Sequence, residues 1–588
     1  MKRLINKIII LLVACMGFTA CIDDFLNRPA DNMTPVSDMT DIVKTSNSIY
    51  VSYRNMPESA GDALYAMGEI ASDNALRGSI LSDGGGLDAG KQFNQFQNFN
   101  GINPSSTNYI AALWNGLYPG IDQANINLRA FSSLFKNESD SIKKPLIAEN
   151  RFGRAWFYMQ LVNAFGEVPL LPEGEVTPKE YSQLTNDKSV IELYQYIIKD
   201  FRYAADSLPT KAEWKTLYNI DWQGRAHKSS GQGYLAKSLL YLAANYIYYD
   251  KTNGAVKADS CYKAIVEIVR EMEPDYPALY PDYEKIFRPE GDYCSESVFE
   301  VGVSSTSDGT TYFAGWRPNQ PRNYTGYGRL GPSLNLIKQY ETDPVNDTII
   351  DVRHRGTVLY GGTSPLSFME HPAVGTFERT INGENITGVV TSNAISTGWP
   401  NRYCRKAAQP RPTSTSVNPL TNFGGNLKFL RWGEVLLIGA EAAYYTGDYD
   451  LAKKWVKQIR VRAHLDPTIV DNLSGQALLD LIWKEKRLEI ALEWSNRYYE
   501  MVRIDKIHPG YMATCFNAKI EDEFAGMEKT LLKGGSIVIN NTITMDIENY
   551  RTVMPLNNGL RLPRNYTMPI PTVAFTTMVN LRQTQYYR

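Results

Sequence analysis

One residue of this sequence announces a defined chemistry: the cysteine of "ACIDDFLNRPA", residues 20–30. Lys2, Arg3 and Lys7 precede the apolar run "IIILLVA" from Ile8 to Ala14, and small residues lead from there to Cys21. This is the layout of a secretory signal, too short to span a bilayer as a mature helix. Cleavage before Cys21 would expose a thiol and an amine, and acylating both buries enough chains for stable anchoring. Leu12-Val13-Ala14-Cys15 offers a second lipobox-like cysteine after a very short apolar region. Cys21 is favoured because polar, acidic sequence follows it at once. Residues 1–20 therefore read as a lipoprotein signal peptide, 21–588 as one mature domain, and Cys21 as the lipid attachment site.

The other reactive side chains form no comparable signal. His227, His354, His371, His464 and His508 are scattered and read as surface or helix-end residues. No HExxH, nucleotide loop or CxxC pair occurs, so neither a metal nor a cofactor is expected. Cys261, Cys294, Cys404 and Cys515 read mostly as buried thiols, with a Cys294–Cys404 bridge left open. Glu485, Glu489 and Glu493, with Arg487 and Arg497, recur at i, i+4 spacings expected on one helix, the pattern of a structural salt-bridge ladder. Carboxylate pairs for glycoside hydrolysis come from distant parts of a chain and leave no spacing to read. A net charge of −2 gives no basic footprint for nucleic acid. After the leader, no run of ~18 apolar residues would cross a membrane as a helix.

The elements that must position these residues are mostly helical. "IAENRFGRAWFYMQLVNAFGEVPLL" places Phe152, Ala155, Trp156, Met159 and Val162 at helical spacing, and Gly166 ends the helix. "GQGYLAKSLLYLAANYIYY" and "ADSCYKAIVEIVREM" predict a second helical pair. "LKFLRWGEVLLIGAEAAYYTGDYDLAKKWVKQIRVRAHL" predicts a third, turning at Gly447-Asp448-Tyr449 and packing closely at Ala452, which is similar to a tetratricopeptide unit of ~34 residues. "SGQALLDLIWKEKRLEIALEWSNRYYEMVRI" predicts one further long helix. Two stretches, 78–105 and 303–425, are instead rich in Gly, Asn, Ser, Pro and aromatics. Loops of such length are uncommon unless functional, and their aromatics argue against disorder. With 37 Tyr, 21 Phe and 10 Trp in the chain, a large wetted aromatic surface is expected beside the core. The fold class is mostly α: a tetratricopeptide-like scaffold with long irregular loops and a few short strands.

Taken in order, several segments resemble the SusD/RagB family of outer-membrane nutrient-binding lipoproteins. They are Cys21-Ile-Asp-Asp-Phe-Leu-Asn with Pro29, and Trp114-Asn-Gly-Leu-Tyr118 with Ile121-Asp-Gln-Ala-Asn125, which resembles the family's first scaffold helix. Arg151-Phe-Gly-Arg-Ala-Trp-Phe-Tyr with Phe165-Gly-Glu-Val-Pro169 is the most recognisable. Leu430-Arg-Trp-Gly-Glu-Val-Leu-Leu with Ala440-Glu-Ala, Glu485-Lys-Arg-Leu-Glu489 with Glu493 and Arg497, and Met568-Pro-Ile-Pro571 with Asn580 complete the match. Trp494 and Ala574 depart from it, standing where the family usually has glycine and an acid.

The resemblance implies a non-enzymatic, cell-surface, lipid-anchored protein of the outer membrane. It would capture a nutrient, an oligosaccharide by preference, and deliver it to a SusC-like TonB-dependent transporter. Asp23 and Asp24 would be export signals, while Phe25, Leu26 and Pro29 would begin docking on that transporter. By position, the family's aromatic arc implies Asp73, Asn74, Arg77, Phe93, Phe96 and Phe99 in the first loop stretch. In the second it implies Tyr312, Phe313, Trp316, Tyr324 and Tyr327, with Trp316 foremost and Trp399 beside Pro400 next. Aromatic faces suit the C–H faces of sugar rings, and Asn, Asp and Arg suit their hydroxyls. Two other readings stay open: a peptide-binding uptake protein or tetratricopeptide scaffold with its ligand on the concave helical face, and a surface glycosidase with paired carboxylates in a cleft. A calcium ion in "SDGGGLD" is compatible with composition, although the spacing of an EF-hand is missing.

Overall fold

The computed structural model describes residues 41–587 apart from 79–92, 94, 106–107, 303–318, 320–327, 361–374, 382–383, 391–401, 408–424, 494–495, 533–536, 540–542 and 546–559. Its scaffold is a series of helices, each packed on the next in the chain. α1 (Ile42–Tyr65) packs on α2 (Asn108–Ser133), and α2 on α3 (Asp140–Phe165). α4 (Val190–Ser207), α5 (Lys228–Tyr249) and α6 (Gly254–Met272) continue the series. Short strands interrupt it before α7 (Trp432–Tyr445) and α8 (Tyr449–Arg462), and α7 packs back on α6. α9 (Gly475–Ile490), α10 (Arg497–Ile507) and α11 (Tyr511–Leu532) close it.

Local sequence explains the boundaries. Ser189 accepts from the Glu192 amide at 3.3 Å while Glu192 Oε2 accepts from the Ser189 amide at 2.9 Å, a reciprocal cap that starts α4. Gly166, at φ +75°, ends α3 as expected, in a conformation a side chain would resist. Gly447, at φ +81°, makes the turn between α7 and α8, and Asp448 caps α8 by accepting from the Leu451 amide at 3.2 Å. Large rings join the series. Trp114 of α2 lies 5.2 Å from Phe165, Phe152 of α3 lies 5.5 Å from Phe201, and Phe201 of α4 stacks 5.4 Å from Tyr234. Tyr262 of α6 stacks on Tyr445 of α7 at 4.6 Å. Where α7 meets α8, a Cβ on Gly439 would lie 2.9 Å from the Trp455 ring, so these helices approach as closely as glycine permits.

The described strands form antiparallel pairs only. β1 (Ala75–Arg77) pairs with β3 (Leu330–Pro332), β2 (Ser297–Val301) with β8 (Leu427–Arg431), and β4 (Val358–Tyr360) with β7 (Arg402–Cys404). β5 (Gly375–Ile381) and β6 (Glu384–Val390) form a hairpin, as do β9 (Ile537–Ile539) and β10 (Ile543–Met545). The β2–β8 pair lies on the helices through Phe299 and Phe429, which stand 5.4 and 6.0 Å from Tyr53 of α1.

The structure corrects four expectations. The long helix over residues 474–504 is two helices, because Ala491 leaves helical geometry and Leu492 takes φ +63°. The Glu489 carbonyl accepts instead from Tyr283 Oη at 2.6 Å, Arg431 Nη2 at 3.0 Å and Lys406 Nζ at 3.3 Å. The acid–arginine cluster is thus not a one-helix ladder: Glu493 lies beyond α9, and its partners come from other elements. The 114–125 segment belongs to the second scaffold helix, since α1 precedes it. His227 stands at the start of α5, a helix end as expected, but it and His354 are buried and not surface residues, while His371 lies outside the described residues. Cys261, Cys294 and Cys404 are buried free thiols and Cys515 is a partly buried one, so no Cys294–Cys404 bridge forms.

Candidate ligand platform

The aromatic-rich segments set off from, and return to, strand ends that adjoin one another. The chain leaves β2 at Val301, which is the register partner of Leu427, the residue where it re-enters β8. It returns from the 303–327 segment into β3 at Leu330, the register partner of Arg77, the last residue of β1. The 79–92 segment therefore departs beside the point where 303–327 arrives. Tyr360 and Arg402, likewise paired, carry the two ends of 361–401.

A charged clamp fixes these roots. The Arg402 guanidinium donates to the Pro332 carbonyl at 2.9 Å and to both Glu523 carboxylate oxygens at 3.0 and 2.8 Å. The same carboxylate accepts from the Leu334 amide at 2.5 Å, tying β3 and β7 to α11. Ser333 donates to the Asp73 carbonyl at 2.6 Å through its hydroxyl and to the Asn74 carbonyl at 2.8 Å through its amide. Gly78 donates to the Arg329 carbonyl at 2.8 Å. A Cβ at Gly78 would lie 1.9 Å from the Gly328 carbonyl oxygen, so the two roots touch backbone to backbone.

The residues expected on the first part of an exposed arc are interior. Asp73, Asn74, Arg77, Phe93, Phe96 and Phe99 are all buried. Asp73 accepts from Arg497 at 2.7 and 2.9 Å and lies 3.1 Å from Arg487 Nη1. Burial alone would raise its pKa, but the Arg487 and Arg497 guanidinium groups outweigh it and hold the carboxyl well below the usual range. Arg487 also donates to Asn74 Oδ1 at 2.9 Å. The Arg77 amide donates to Gln97 Oε1 at 2.8 Å. Phe93 packs 4.8 Å from Tyr109, and Phe99 packs 5.3 Å from Phe516. These six are held inside the scaffold and are not an exposed arc. Tyr312, Phe313, Trp316, Tyr324, Tyr327 and Trp399 lie outside the described residues, as does Cys21.

The described residues also contain a buried ionic network that i, i+4 spacing did not disclose. Arg431 donates to Glu493 at 2.9 and 2.8 Å, to Glu489 at 2.9 Å and to Glu296. Arg462 pairs with Glu489 and with Glu296 Oε2 at 3.2 Å. Arg353 and Arg460 share Glu485 at 2.7 and 2.6 Å, and Lys406 reaches Glu493 at 2.6 Å. Burial opposes the charge of Glu489, yet Arg462, Arg431 and Arg353 outweigh it and hold its pKa far down. The carboxylates thus have arginine partners and no open cleft, which suits a strut and not an acid–base pair. Among the described residues no group of three His, Cys, Asp or Glu side chains is arranged to hold a metal ion. Nor, among them, is any helix long and apolar enough to cross a membrane.

The profile of the SusD family matches residues 295–587, and one described as starch-binding associating with outer membrane matches 24–240. A SusD-like protein of Bacteroides ovatus is 22% identical over 531 residues, covering 87% of this chain and 85% of its own. SusD-like protein P2 of Formosa agariphila is 23% identical over 521 residues, covering 86% and 91%. Among solved structures, a laminarin-binding SusD-like protein superposes with a TM-score of 0.63 at 20% identity, over 93% of this chain and 99% of its own. Surface glycan-binding protein A of Bacteroides uniformis gives 0.63 at 18% identity over the same shares. The chain belongs to the SusD/RagB family.

Proposed function

We infer that this protein binds an oligosaccharide at the cell surface without cleaving it. Acylated Cys21 would hold it on the outer membrane, and it would pass the ligand to a SusC-like TonB-dependent transporter. The observation that carries the reading is the convergence of segment roots: 79–92 and 303–327 meet at the Arg77–Leu330 pair. The aromatic residues of 303–327 then have a common rigid base on which a sugar could stack. The laminarin-binding and surface glycan-binding relatives of the same fold support the ligand class.

The test is calorimetric titration of the purified protein with a panel of neutral oligosaccharides, beside Trp316→Ala and Trp399→Ala variants. Saturable binding to one glycan class, lost in Trp316→Ala and with no shortened product, supports the reading. Binding of peptides but of no glycan overturns it.

A further inference from the structure

A cavity among the helices contains an ammonium group that pairs with no carboxylate among the described residues. It lies between the C-terminal halves of α3, α5 and α10, the start of α4, and residues 566–567. Tyr194, Tyr249, Tyr566, Asn163, Asn245 and Lys506 are among its walls. Its free volume of about 30 Å³ holds roughly two water-sized groups. A sugar ring is too large for that space, but the two oxygens of a carboxylate are not.

Lys506 is the unusual residue. Its Nζ donates to Asn245 Oδ1 at 2.8 Å and lies 5.7, 5.5 and 5.9 Å from the ring centres of Tyr248, Tyr249 and Tyr566. An ammonium has three protons to donate, and among the described residues no carboxylate pairs with this one. Lys506 is itself partly exposed, and of the five lysines buried outright among the described residues four pair with a carboxylate. Lys237 pairs with Glu434 at 2.7 Å, Lys406 with Glu493 at 2.6 Å, Lys428 with Asp292 at 2.5 Å and Lys486 with Glu500 at 2.9 Å. Lys519, the remaining one, donates to the Ile70 and Ser72 carbonyls at 3.2 and 2.6 Å.

The charged groups near Lys506 are already engaged. Asp505 accepts from the Tyr566 hydroxyl and from the Gly510 and Met512 amides at 3.0 and 2.8 Å. Arg503 is held by Glu441 at 2.8 Å and by Glu500 at 2.8 Å. Glu167, which follows Gly166, is exposed. Withdrawal from solvent pushes the Lys506 ammonium down to about 8. A cation kept in such surroundings is ordinarily compensated by an anion.

Tyr249, one of the cavity walls, is 52% exposed, so flat aromatic surface is available to a ring whose charged substituent points inward. We propose that this cavity is a carboxylate-binding subsite in which Lys506 and Asn245 receive the carboxylate of a uronic acid while Tyr249 packs against its ring. The inference rests on the oligosaccharide reading only in taking a sugar as the bearer of the carboxylate.

The test titrates the purified protein with sodium glucuronate, glucose and N-acetylalanine, following the tyrosine ring resonances by NMR. Glucuronate is expected to saturate, with glucose and the Lys506→Met variant each at least about tenfold weaker. Tyr249→Ala, a change at an exposed position, weakens glucuronate several-fold and leaves the fold intact. The affinity falls as pH rises through about 8, where Lys506 loses its proton. Trp316→Ala leaves the monosaccharide titration unchanged, which separates this subsite from the platform. Equal binding of glucose, or full binding by a folded Lys506→Met protein, overturns the proposal. N-acetylalanine binding as tightly as glucuronate, insensitive to Tyr249→Ala, overturns the sugar assignment and favours a peptide terminus. Should Lys506→Met fail to fold, an affinity that does not fall above pH ~8 overturns the proposal on the native protein alone.

Discussion

Asp73 and Arg497 stand 424 residues apart in the chain, yet they form a two-point ion pair, Nε to Oδ1 at 2.7 Å and Nη2 to Oδ2 at 2.9 Å. The pair fastens the turn before β1 to the start of α10 and so sets where the 79–92 segment begins. Asp73→Asn would leave Arg487 and Arg497 buried without their counter-charge. The expected loss is about 3–5 kcal/mol, read from urea unfolding. Because the folded carboxyl titrates well below the unfolded one, this stability is present above pH ~4 and lost only as pH falls further.

Arg431 should be the costliest single residue of the network to remove. It is buried and bonds carboxylates of Glu296, Glu489 and Glu493. Arg431→Met deprives three buried acids of a shared cation and is expected to cost at least about 3–5 kcal/mol by the same measurement, the loss typical of a broken buried pair. Its unfolding midpoint should recover partly at low pH, as those acids take up protons.

Glu69 gives the opposite pH signature. Burial outweighs its hydrogen bonds from Asn74, Arg497 and Leu492 and raises its pKa to about 7. A folded-state pKa above the unfolded one means that stability is fully present below about 4.5 and falls until about 7. The decline amounts to ~3 kcal/mol at one unit per ~1.4 kcal/mol. Glu69→Gln is expected to flatten the thermal midpoint between pH 5 and 7; an unchanged slope would show that another group sets it.

Gly439→Ala tests the closeness of α7 and α8. The added carbon would meet the Trp455 ring at 2.9 Å. Overpacking costs about 1–3 kcal/mol, and the better helix propensity of alanine returns up to ~1. A net loss in thermal midpoint is therefore expected, smaller in a double variant with Trp455→Phe.

The scaffold was legible where the cause is local. The end of α3 at Gly166 and the turn at Gly447 depend on residues within one or two turns, and both lie where the sequence placed them. The break between α9 and α10 was not legible, because Tyr283, Arg431 and Lys406 approach the Glu489 carbonyl from elsewhere in the chain. Asp73 and Asn74 misled for the same reason. Their position in the family resemblance implied an exposed arc, and only their buried partners, Arg487 and Arg497, draw them inside. Lys506 also went unnoticed, although a lysine between Ile504 and Ile507 on a short helix is a signal that could have found it.

Because Tyr360 and Arg402 face each other across β4 and β7, everything between them is, for the scaffold, an insertion with coincident ends. The entropy of closing such an excursion grows only slowly with its length. The 361–401 segment could therefore be lengthened, shortened or exchanged for that of a relative with little effect on folding. Chimeras cut at these two positions would change the excursion while leaving the described helices and the β4–β7 pair as they are.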